Sequence, residues 1–442
     1  MNDSRTVHLG NFDVEEQWAR DEPGLPAPTT AGARAVAAAA GELALLIADA
    51  DDTVVLKYEA EPELVERLRR VGLAPSRTAV AETVRPDRPV TLDVLDSPRL
   101  LEALRREAGR GARLAPHGYS ADEARLCAAT GLRAPVEDAD TVKRVNGKVY
   151  SRRLCAELGL PRPPGWEFAS VDELLGLADE VRAELDAGGT VGFKSSYGVS
   201  GKGIMVCEDT RRFDQLLRLV ERRADRSGDA RLEAVIESWQ DKATDLNYHF
   251  TVGDDGMERF DFVLVAITEN GTHRGHLLPD RQAADVREVL TDCARQIGKR
   301  LAGEGYRGPV GVDAIICRDG TLFPVLEINA RNNMSTYLSA LAPALEGAGS
   351  SGIAVQIDLT LHRPAPYREI DEALDGLALG PDWRRGFLVT CTASLNAAAP
   401  PAGGRFRGRV HGLAVGRDPD DAAAVERAAR ERLRTIGADH VR

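Results

Sequence analysis

Acidic, amide and basic side chains follow one another at short spacing about two-thirds of the way along this sequence. Asp313 lies in an apolar run, and Glu327, Asn329 and Arg331 occupy every second position at the end of the next apolar run. The turn Arg318–Gly320 separates the two runs, and an Asp-Gly turn between apolar segments predicts a β-hairpin. Because side chains alternate along a strand, Glu327 and Asn329 share one face, and Asp313 can lie on that face across the hairpin.

Two carboxylates and an amide oxygen on one face form a set of hard oxygen ligands. Such a set suits Mg²⁺ together with phosphate oxygens. Arg331 adds a planar guanidinium that can bind a phosphate or a carboxylate through two parallel hydrogen bonds. The alternative is an ordinary hairpin with solvated acids, since this turn pattern is common. A second phosphate-binding pattern upstream favours the metal site.

That second pattern is a loop rich in glycine and serine between the predicted strands Thr190–Lys194 and Ile204–Cys207. Glycines let the backbone approach a ligand with its N–H groups turned inward, while lysine and serine add charge and donors. The loop has neither Walker A nor dinucleotide-binding spacing, so an ordinary flexible hairpin loop is the alternative. The candidate phosphate-binding residues are Lys194, Ser195, Ser196, Gly198, Ser200, Gly201, Lys202 and Gly203.

Composition excludes several classes of function. The 442 residues, 43% of them apolar, are enough for two or three domains, and the net charge of -12 argues against nucleic-acid binding. No apolar run is long enough to span a bilayer, and the amino-terminal residues lack the basic-then-apolar order of a secretory signal. The six cysteines form no Cys-x-x-Cys pair, which predicts buried free thiols rather than disulfides or zinc ligands.

Alternating strands and helices predict a separate α/β unit over residues 1 to about 140. Such alternation favours a parallel or mixed sheet. After residue 350 a helix, two strands and a final helix predict a small α+β unit. The predicted amino-terminal strands are Thr6–Leu9, Leu43–Ala48 and Val54–Lys57, and the predicted helices are Glu61–Val71, Ser97–Ala108 and Ala121–Thr130.

One motif in the amino-terminal unit suggests a different enzyme. The segment Leu45–Val54 reads as an apolar strand ending in Asp49-x-Asp51, and it resembles the first motif of the haloacid-dehalogenase phosphatases. In that family the first aspartate is the nucleophile and the second a general acid. Here Asp52 replaces the usual glycine, and no convincing later Asp-Asp metal motif follows. We therefore favour a strand end with a polar turn and retain a phosphatase as an alternative.

The phosphate-binding patterns occur in the order of the ATP-grasp superfamily, which the chain resembles over about residues 140 to 340. The segments VNGKVYSRRLCAELGLPRPPG, KSSYGVSGKG and EINARNNMSTY also resemble the peptide ligases of the pheganomycin type. These ligases carry a pre-ATP-grasp domain before the ATP-grasp domain and a small extension after it. The resemblance implies an ATP-grasp fold, α/β and α+β in class. The implied domains are a pre-ATP-grasp α/β domain (1–140), an ATP-grasp domain (141–345, with a lid lobe about 190–235) and a C-terminal α+β extension (346–442).

The resemblance implies roles in nucleotide binding. Lys148 and Lys194 would contact the phosphates of ATP, and the glycine-rich loop would close over the β- and γ-phosphates. Asp245 or Asn247 would approach the ribose, although the usual glutamate is absent. The residues that match a hinge whose backbone meets adenine are Glu237, Ser238 and Trp239.

The resemblance also implies the groups that take part in the reaction. Arg331 and Arg274 would face the transferring phosphoryl group and the acyl phosphate. Two carboxylates and one amide would hold Mg²⁺, namely Asp313, Glu327 and Asn329. Surface or structural roles are expected for His249, His273 and His276.

The expected function is a cytoplasmic ligase that uses ATP and Mg²⁺ in specialised peptide, antibiotic or amino-acid-derived metabolite biosynthesis. It would join a small-molecule carboxylate to an amine, an amino acid or short peptide, through an acyl phosphate, releasing ADP and phosphate. No nucleic acid or membrane partner is expected, and a homodimer is a candidate assembly. Three alternatives stay open: loading of a carrier-protein thiol, an ATP-binding module without catalysis, and the phosphatase.

Overall fold

Three β-sheets with flanking helices form the part of the chain that the structure describes. No helix in that part is both long and apolar enough to cross a membrane. All six cysteines are buried and free, which confirms the prediction from their spacing. The structure is a computed structural model, and the described residues are 5–24, 30–73, 77–198, 204–269, 272–280, 282 and 284–436.

The first sheet is parallel, with strand order β3-β2-β1-β4. This parallel sheet agrees with the predicted α/β class of the region, whereas its boundary near residue 140 stays a prediction. The strands are β1 (Thr6–Leu9), β2 (Thr53–Leu56), β3 (Arg77–Val80) and β4 (Arg113–Pro116). The helices up to the second sheet are α1 (Val14–Trp18), α2 (Ala31–Ala39), α3 (Pro62–Arg70), α4 (Val90–Leu95), α5 (Pro98–Ala108), α6 (Ala121–Thr130), α7 (Ala139–Val145) and α8 (Lys148–Leu158).

The predicted strand at Leu43–Ala48 is wrong. The segment Ala40–Leu46 is a 3₁₀ helix that continues α2, and all seven of its residues are buried. A segment buried on every side shows an unbroken apolar run, which cannot be told from a buried strand by periodicity. Its backbone also lies close to β1, because a Cβ atom added to Gly41 would lie 2.4 Å from the carbonyl oxygen of Gly10.

The second sheet is antiparallel and forms a lobe that carries the glycine-rich loop between two neighbouring strands. Two helices cover one face around a small apolar core that includes Phe168, Phe193 and Phe213. Helix α10 begins after Asp209, whose side chain accepts a hydrogen bond from the Arg212 backbone N–H at 2.7 Å. The elements are β5 (Gly165–Ser170), α9 (Val171–Asp186), β6 (Val191–Ser195), β7 (Ile204–Cys207), α10 (Thr210–Ser227) and β8 (Arg231–Ser238).

The third sheet is antiparallel, with strand order β13-β12-β9-β10-β11-β14-β16-β15. Strands from the last hundred residues therefore extend the sheet that carries the acidic hairpin. The strands are β9 (Lys242–Val252), β10 (Glu258–Glu269), β11 (Thr272–Leu278), β12 (Gly308–Cys317), β13 (Leu322–Asn329), β14 (Ser351–Leu361), β15 (Gly386–Cys391) and β16 (Phe406–Gly416). The helices are α11 (Ala284–Gly303), α12 (Met334–Ser339), α13 (Ala342–Ala348), α14 (Tyr367–Ala373), α15 (Ala393–Asn396) and α16 (Pro419–Leu433).

The two faces of this sheet differ in chemistry. On β9, Tyr248 and Phe250 pack into an apolar core with residues of α11, whereas Asn247 and His249 take the alternate positions and turn to the other face. That other face forms the floor of a cavity of about 1060 Å³. Residues of the second and third sheets line the cavity together with helices and loops of the amino-terminal unit, so the fold brings distant parts of the sequence to one place.

Candidate functional site

The acidic hairpin forms as predicted, and its two carboxylates lie directly opposite each other. Asp313 on β12 pairs with Glu327 on β13, and Gly320 in the connecting turn has φ +88°, a backbone conformation that favours glycine. Like charges directly across an antiparallel pair are destabilising. Burial, together with the charge of Glu327, raises the pKa of Asp313 to about 6. This pair is therefore arranged to receive a cation.

Two amide side chains hold Asp313 in place. Asn247 Nδ2 donates to Asp313 Oδ1 at 2.7 Å, and Asn329 Nδ2 donates to Asp313 Oδ2 at 3.2 Å. Asn247, which was a candidate ribose contact, lies instead on β9 opposite Asp313. Both amides lower the pKa of Asp313 and so oppose part of the effect of burial.

The two candidate phosphate-binding lysines that the structure describes, Lys148 and Lys194, each bond a carboxylate of the site. Lys148 is the first residue of α8, and its Nζ donates to Glu327 Oε1 at 2.7 Å. Lys194 on β6 donates to Glu237 Oε2 at 2.5 Å, and Arg152 Nη1 donates to Glu237 Oε1 at 3.2 Å. Carboxylates thus hold both lysines in place, and both lysines line the cavity.

Arg331 lies next to the acidic hairpin and is held by several groups. Its Nη2 donates to Asn329 Oδ1 at 2.9 Å, and its Nη1 donates to the carbonyl oxygen of Asn332 at 2.9 Å. It also forms an ion pair with Glu15 of α1, from the amino-terminal unit. Its Nε is buried and has no hydrogen-bond partner among the described residues. The guanidinium is thus held beside the acidic hairpin on the lining of the cavity.

The structure describes only the first part of the glycine-rich loop. Ser195 and Gly198 line the cavity, and Ser196 Oγ donates to Glu233 Oε1 at 3.1 Å. The carbonyl of Ser196 also accepts the backbone N–H of Lys148 at 3.2 Å, which joins the loop to α8. The other predicted loop residues, Ser200, Gly201, Lys202 and Gly203, lie outside the described residues.

The predicted adenine hinge lines the cavity, but two of its backbone donors are already bonded. The N–H of Ser238 donates to the carbonyl of Pro164 at 2.9 Å, and that of Trp239 donates to the carbonyl of Thr190 at 2.7 Å. The next residue, Gln240, donates its side-chain amide to the carbonyl of Ser238 at 2.9 Å. Its own backbone N–H bonds no described residue. Among residues 238–240, the backbone N–H that the described residues leave unbonded is therefore that of Gln240, one residue beyond the predicted segment.

The ribose candidate Asp245 lines the cavity in a compact polar group. Lys242 Nζ donates to its two carboxylate oxygens at 2.9 and 2.7 Å. Thr268 Oγ1 donates to Asp245 Oδ2 at 2.6 Å. The carboxylate is thus held with its charge balanced by Lys242.

The structure does not bring Arg274 to Arg331. Arg274 lies on β11, where it pairs with Asp358 of β14 at 3.5 Å, and it is not among the residues that line the cavity. Arg331 follows β13, which is four strand positions away, or roughly 19 Å at about 4.8 Å per strand. The sequence of one strand does not show which strands become its neighbours in a large sheet. The predicted placement of Arg274 beside Arg331 depended on that information.

The histidines have the structural roles that were expected where the structure shows them. His249 Nε2 bonds Asn333 Oδ1 at 2.9 Å and the ring stacks on Phe262; burial lowers its pKa to about 4, so the ring is neutral. His276 is buried and lines the cavity. The side chain of His273 lies outside the described residues.

Sequence reasoning missed the contribution of the amino-terminal unit. Phe12 stacks on His117 with ring centroids 4.0 Å apart, and His117 Nδ1 bonds Tyr337 Oη at 2.9 Å. Burial, and then the charge of Arg331, lower the pKa of His117 well below its ordinary value, so it is neutral. Phe12 and Glu15 follow β1 in sequence. Their position after a parallel strand was the sequence signal that could have placed them at the site.

The phosphatase motif does not form a site. Asp49 and Asp51 are exposed in a turn, and neither lines the cavity. Asp52 is buried instead and accepts hydrogen bonds from the backbone N–H groups of Thr6 and Asp49 at 2.8 and 3.0 Å. These bonds tie the turn to β1, which is a structural role.

Comparison with known proteins agrees with this geometry. The model of the Pre ATP-grasp domain matches residues 40–132. The butirosin acyl-carrier protein–L-glutamate ligase of Niallia circulans is 28% identical over 214 residues, or 46% of this chain and 47% of that protein. The chain thus spans about half the length of that ligase. The L-propargylglycine–L-glutamate ligase of Streptantibioticus cattleyicolor is 26% identical and aligns over 88% of this chain and 85% of that protein.

Solved structures share the fold. Biotin carboxylase of Campylobacter jejuni, in complex with β,γ-ATP, has a TM-score of 0.55 at 12% identity and covers 97% of this chain and 91% of that one. N5-carboxyaminoimidazole synthase of Aspergillus clavatus, in complex with ADP, has a TM-score of 0.51 at 13% identity and covers 98% of both chains. The chain has the ATP-grasp fold, and its amino-terminal domain match and two curated relatives show that it resembles ATP-grasp ligases that have a pre-ATP-grasp domain.

Proposed function

We propose that this chain is an ATP-dependent ligase that converts a carboxylate into an acyl phosphate and passes the acyl group to an amine. The products are an amide, ADP and phosphate. One observation supports this most strongly: the opposed pair Asp313 and Glu327, two lysines and Arg331 all line one cavity. Phosphoryl transfer needs alignment and neutralisation of charge rather than a nucleophilic side chain, and this cavity supplies both.

The lysines and the hinge bind the nucleotide in this proposal. Lys148 and Lys194 exchange their bonds to Glu327 and Glu237 for bonds to phosphate oxygens. The backbone N–H of Gln240 faces the base, because the neighbouring N–H groups are bonded within the protein. Asp245 lies beyond the hinge on the cavity wall, in a position to meet the ribose.

The acid pair fits Mg²⁺, which usually takes one or two carboxylates together with phosphate oxygens and water. The described residues contain no group of three or more His, Cys, Asp or Glu side chains placed to hold a metal, so the proposed site depends on phosphate oxygens in addition to its two carboxylates. Asp313 and Glu327 would hold the ion, with the oxygen of Asn329 beside them. When bound, Mg²⁺ neutralises phosphate charge and polarises the γ-phosphoryl group.

Arg331 places the substrate carboxylate in this proposal. Its guanidinium lines the cavity beside the acid pair, where its Nη2 atom bonds Asn329 and pairs with Glu15. A carboxylate held there lies beside the γ-phosphate, and the same guanidinium neutralises the acyl phosphate that forms. The cavity walls keep water from this reactive intermediate.

We propose L-glutamate as the carboxylate substrate, since both curated relatives are L-glutamate ligases by name. The acceptor is an amino acid or short peptide, and the reaction belongs to specialised metabolite biosynthesis. A cytoplasmic location follows from the need for ATP, and a homodimer stays a prediction. We propose the domain division 1–140, 141–345 and 346–442.

Loading of a carrier protein is the second candidate, because the Niallia relative acts on an acyl-carrier protein. Both candidates share activation by ATP and differ in the acceptor. Mass spectrometry of the product distinguishes the two candidates. The first predicts an amide formed with a free amine, and the second predicts a thioester on a carrier protein.

Product analysis tests the activation step. The chain, Mg-ATP, L-glutamate and hydroxylamine should give ADP, phosphate and a glutamyl hydroxamate. Release of AMP and pyrophosphate would exclude the acyl-phosphate mechanism. The absence of any glutamate-dependent nucleotide release would exclude glutamate as the substrate, and a screen of other carboxylates would then follow.

A further inference from the structure

Strand β16 brings a row of arginines into the wall of the cavity. Arg407 and Arg409 lie at alternate positions, Arg405 precedes the strand, and all three line the cavity. His411, buried, continues the same alternation. We call Arg405, Arg407 and Arg409 the arginine wall. None of them belongs to the nucleotide or metal site described above.

The arginine wall has an excess of positive charge. Arg409 Nε donates to Asp358 Oδ1 at 2.7 Å, and Asp358 also pairs with Arg274. In the described ranges no carboxylate pairs with Arg405 or Arg407, so three lining arginines face one aspartate. The nucleotide end differs, since each of its lining cations has a carboxylate partner: Lys148–Glu327, Lys194–Glu237, Lys242–Asp245 and Arg331–Glu15.

Distance along the sheet separates the arginine wall from the nucleotide end. Five strand spacings lie between Asp313 on β12 and Arg409 on β16, or roughly 24 Å along the sheet at about 4.8 Å each. The substrate carboxylate must lie against the γ-phosphate, and the amine adds to the acyl carbon across the plane of its carbonyl group before phosphate leaves. The proposed nucleotide and metal groups occupy one end of the cavity, so the end toward β14 and β16 is left for the acceptor.

Helix α2, which contacts β16, adds a small apolar wall to the cavity. Its lining residues are Ala33, Val36 and Ala37. A molecule bound here can meet this apolar surface as well as the guanidinium groups. This combination matches a compact acceptor that has an apolar part and an anionic end.

We propose that the arginine wall binds a free carboxylate of the acceptor, so that the acceptor is an amino acid or short peptide with its carboxyl group unblocked. The proposal rests on the proposed function and names the class of acceptor for it. Guanidinium groups bind carboxylates through two parallel hydrogen bonds, which fixes the orientation of the ligand as well as its charge. Simple amines lack the group that this wall recognises.

The test compares R407Q, R405Q and a control, R384Q. Arg384 is an exposed arginine of the same carboxyl-terminal region, and it does not line the cavity. ADP release is followed with L-glutamate as the donor and each common amino acid as the acceptor, supplied once as the free acid and once as the carboxamide. We expect KM for the free acids to rise on the order of 10-fold in R407Q and R405Q, with a smaller change in kcat and no change in R384Q.

Hydroxylamine separates this proposal from the proposed function. It carries no carboxylate, so glutamate-dependent ADP release with hydroxylamine reports the donor and ATP alone; if wild-type protein fails there, the proposed function fails. The acceptor proposal is overturned if the wild-type protein uses carboxamide acceptors with the same efficiency as free-acid acceptors. It is overturned too if the wild-type protein uses neither kind of acceptor. It is also overturned if R407Q and R405Q keep the wild-type KM for the free-acid acceptors, or if their KM for glutamate rises in the hydroxylamine reaction. Acylation of a carrier-protein thiol alone would overturn it as well.

Discussion

At the scale of single residues, the opposed carboxylates decide the chemistry. Asp313 and Glu327 lie directly across an antiparallel pair, and neither would be selected there for stability alone. The charge of Lys148 offsets part of the repulsion through its bond to Glu327. Unfavourable local interactions of this kind are typical of functional sites.

Removing either acid should nearly abolish turnover without unfolding the protein. Asp313→Asn and Glu327→Gln each remove a charged oxygen from the proposed metal site. Loss of comparable transition-state electrostatics costs about 3–4 kcal/mol, or about 10²–10³ in rate. Asp319→Asn, in the exposed turn of the same hairpin, is the control. Near-wild-type turnover in a folded D313N or E327Q variant would contradict the assignment.

The raised pKa of Asp313 predicts a variant that is more stable and less active. Its pKa is about 6 in the folded chain and 3.8 ordinarily. Ionisation therefore favours the unfolded chain, and stability is lost as pH rises from about 4 to about 6. Asp313→Asn removes this loss of stability. In the absence of metal and nucleotide, the Tm of the variant at pH 8 should therefore exceed that of the wild type, by about 2–4 °C for each kcal/mol gained in the free energy of unfolding. The difference should shrink at pH 4.5, and a lower Tm than wild type at pH 8 would refute it.

Most residues of the hairpin could be predicted from sequence, whereas their partners could not. The spacing of Glu327, Asn329 and Arg331 follows from the two-residue period of a strand, so the shared face was readable. Glu15 and Asn247 reach the site from strands and helices distant in sequence. Their contacts depend on which strands become neighbours, and no local pattern contains that information.

At the scale of elements, β6 and β8 hold Lys194 rigidly for the nucleotide. The two strands are paired, and Glu237 of β8 bonds Lys194 from the neighbouring strand. A cation fixed in advance loses little side-chain entropy on binding a phosphate. The long helices and most strands were predictable because their apolar residues recur at regular spacing. The helix at Ala40–Leu46 was not predictable, because all of its residues are buried and no regular apolar spacing shows.

Lys194→Ala should weaken binding of Mg-ATP by about tenfold or more, because one charged contact to phosphate is worth about 1.5–3 kcal/mol. Lys299→Ala, an exposed lysine of α11, is the matched control. Titration calorimetry measures both variants. Equal affinities for K194A and K299A would remove Lys194 from the nucleotide site.

Helix α2 should set the size of the acceptor. Ala37 lines the cavity, so Ala37→Leu adds volume to the apolar wall without breaking the helix. We expect KM to rise more for large acceptor amino acids than for small ones. Arg34→Leu, exposed on the same helix, is the control. A uniform change for all acceptors, or none, would show that this wall does not meet the acceptor.

At the scale of the whole molecule, the cavity is lined by the amino-terminal domain and by both antiparallel sheets. The amino-terminal domain supplies Glu15 and His117, the second sheet supplies Lys194, and the third supplies the acids and the arginine wall. The class of fold could be predicted from the order of the phosphate-binding motifs. The joining of β14 and β16 to the acidic sheet could not, because sheet order depends on long-range contacts.

Transfer of a labelled oxygen tests the central claim most directly. L-glutamate carrying ¹⁸O in its carboxylates is turned over with unlabelled Mg-ATP and hydroxylamine, and the phosphate is analysed by mass spectrometry. If the carboxylate attacks the γ-phosphorus, one ¹⁸O from glutamate should appear in each phosphate released. Label in AMP, or unlabelled phosphate with a labelled hydroxamate, would contradict activation through an acyl phosphate.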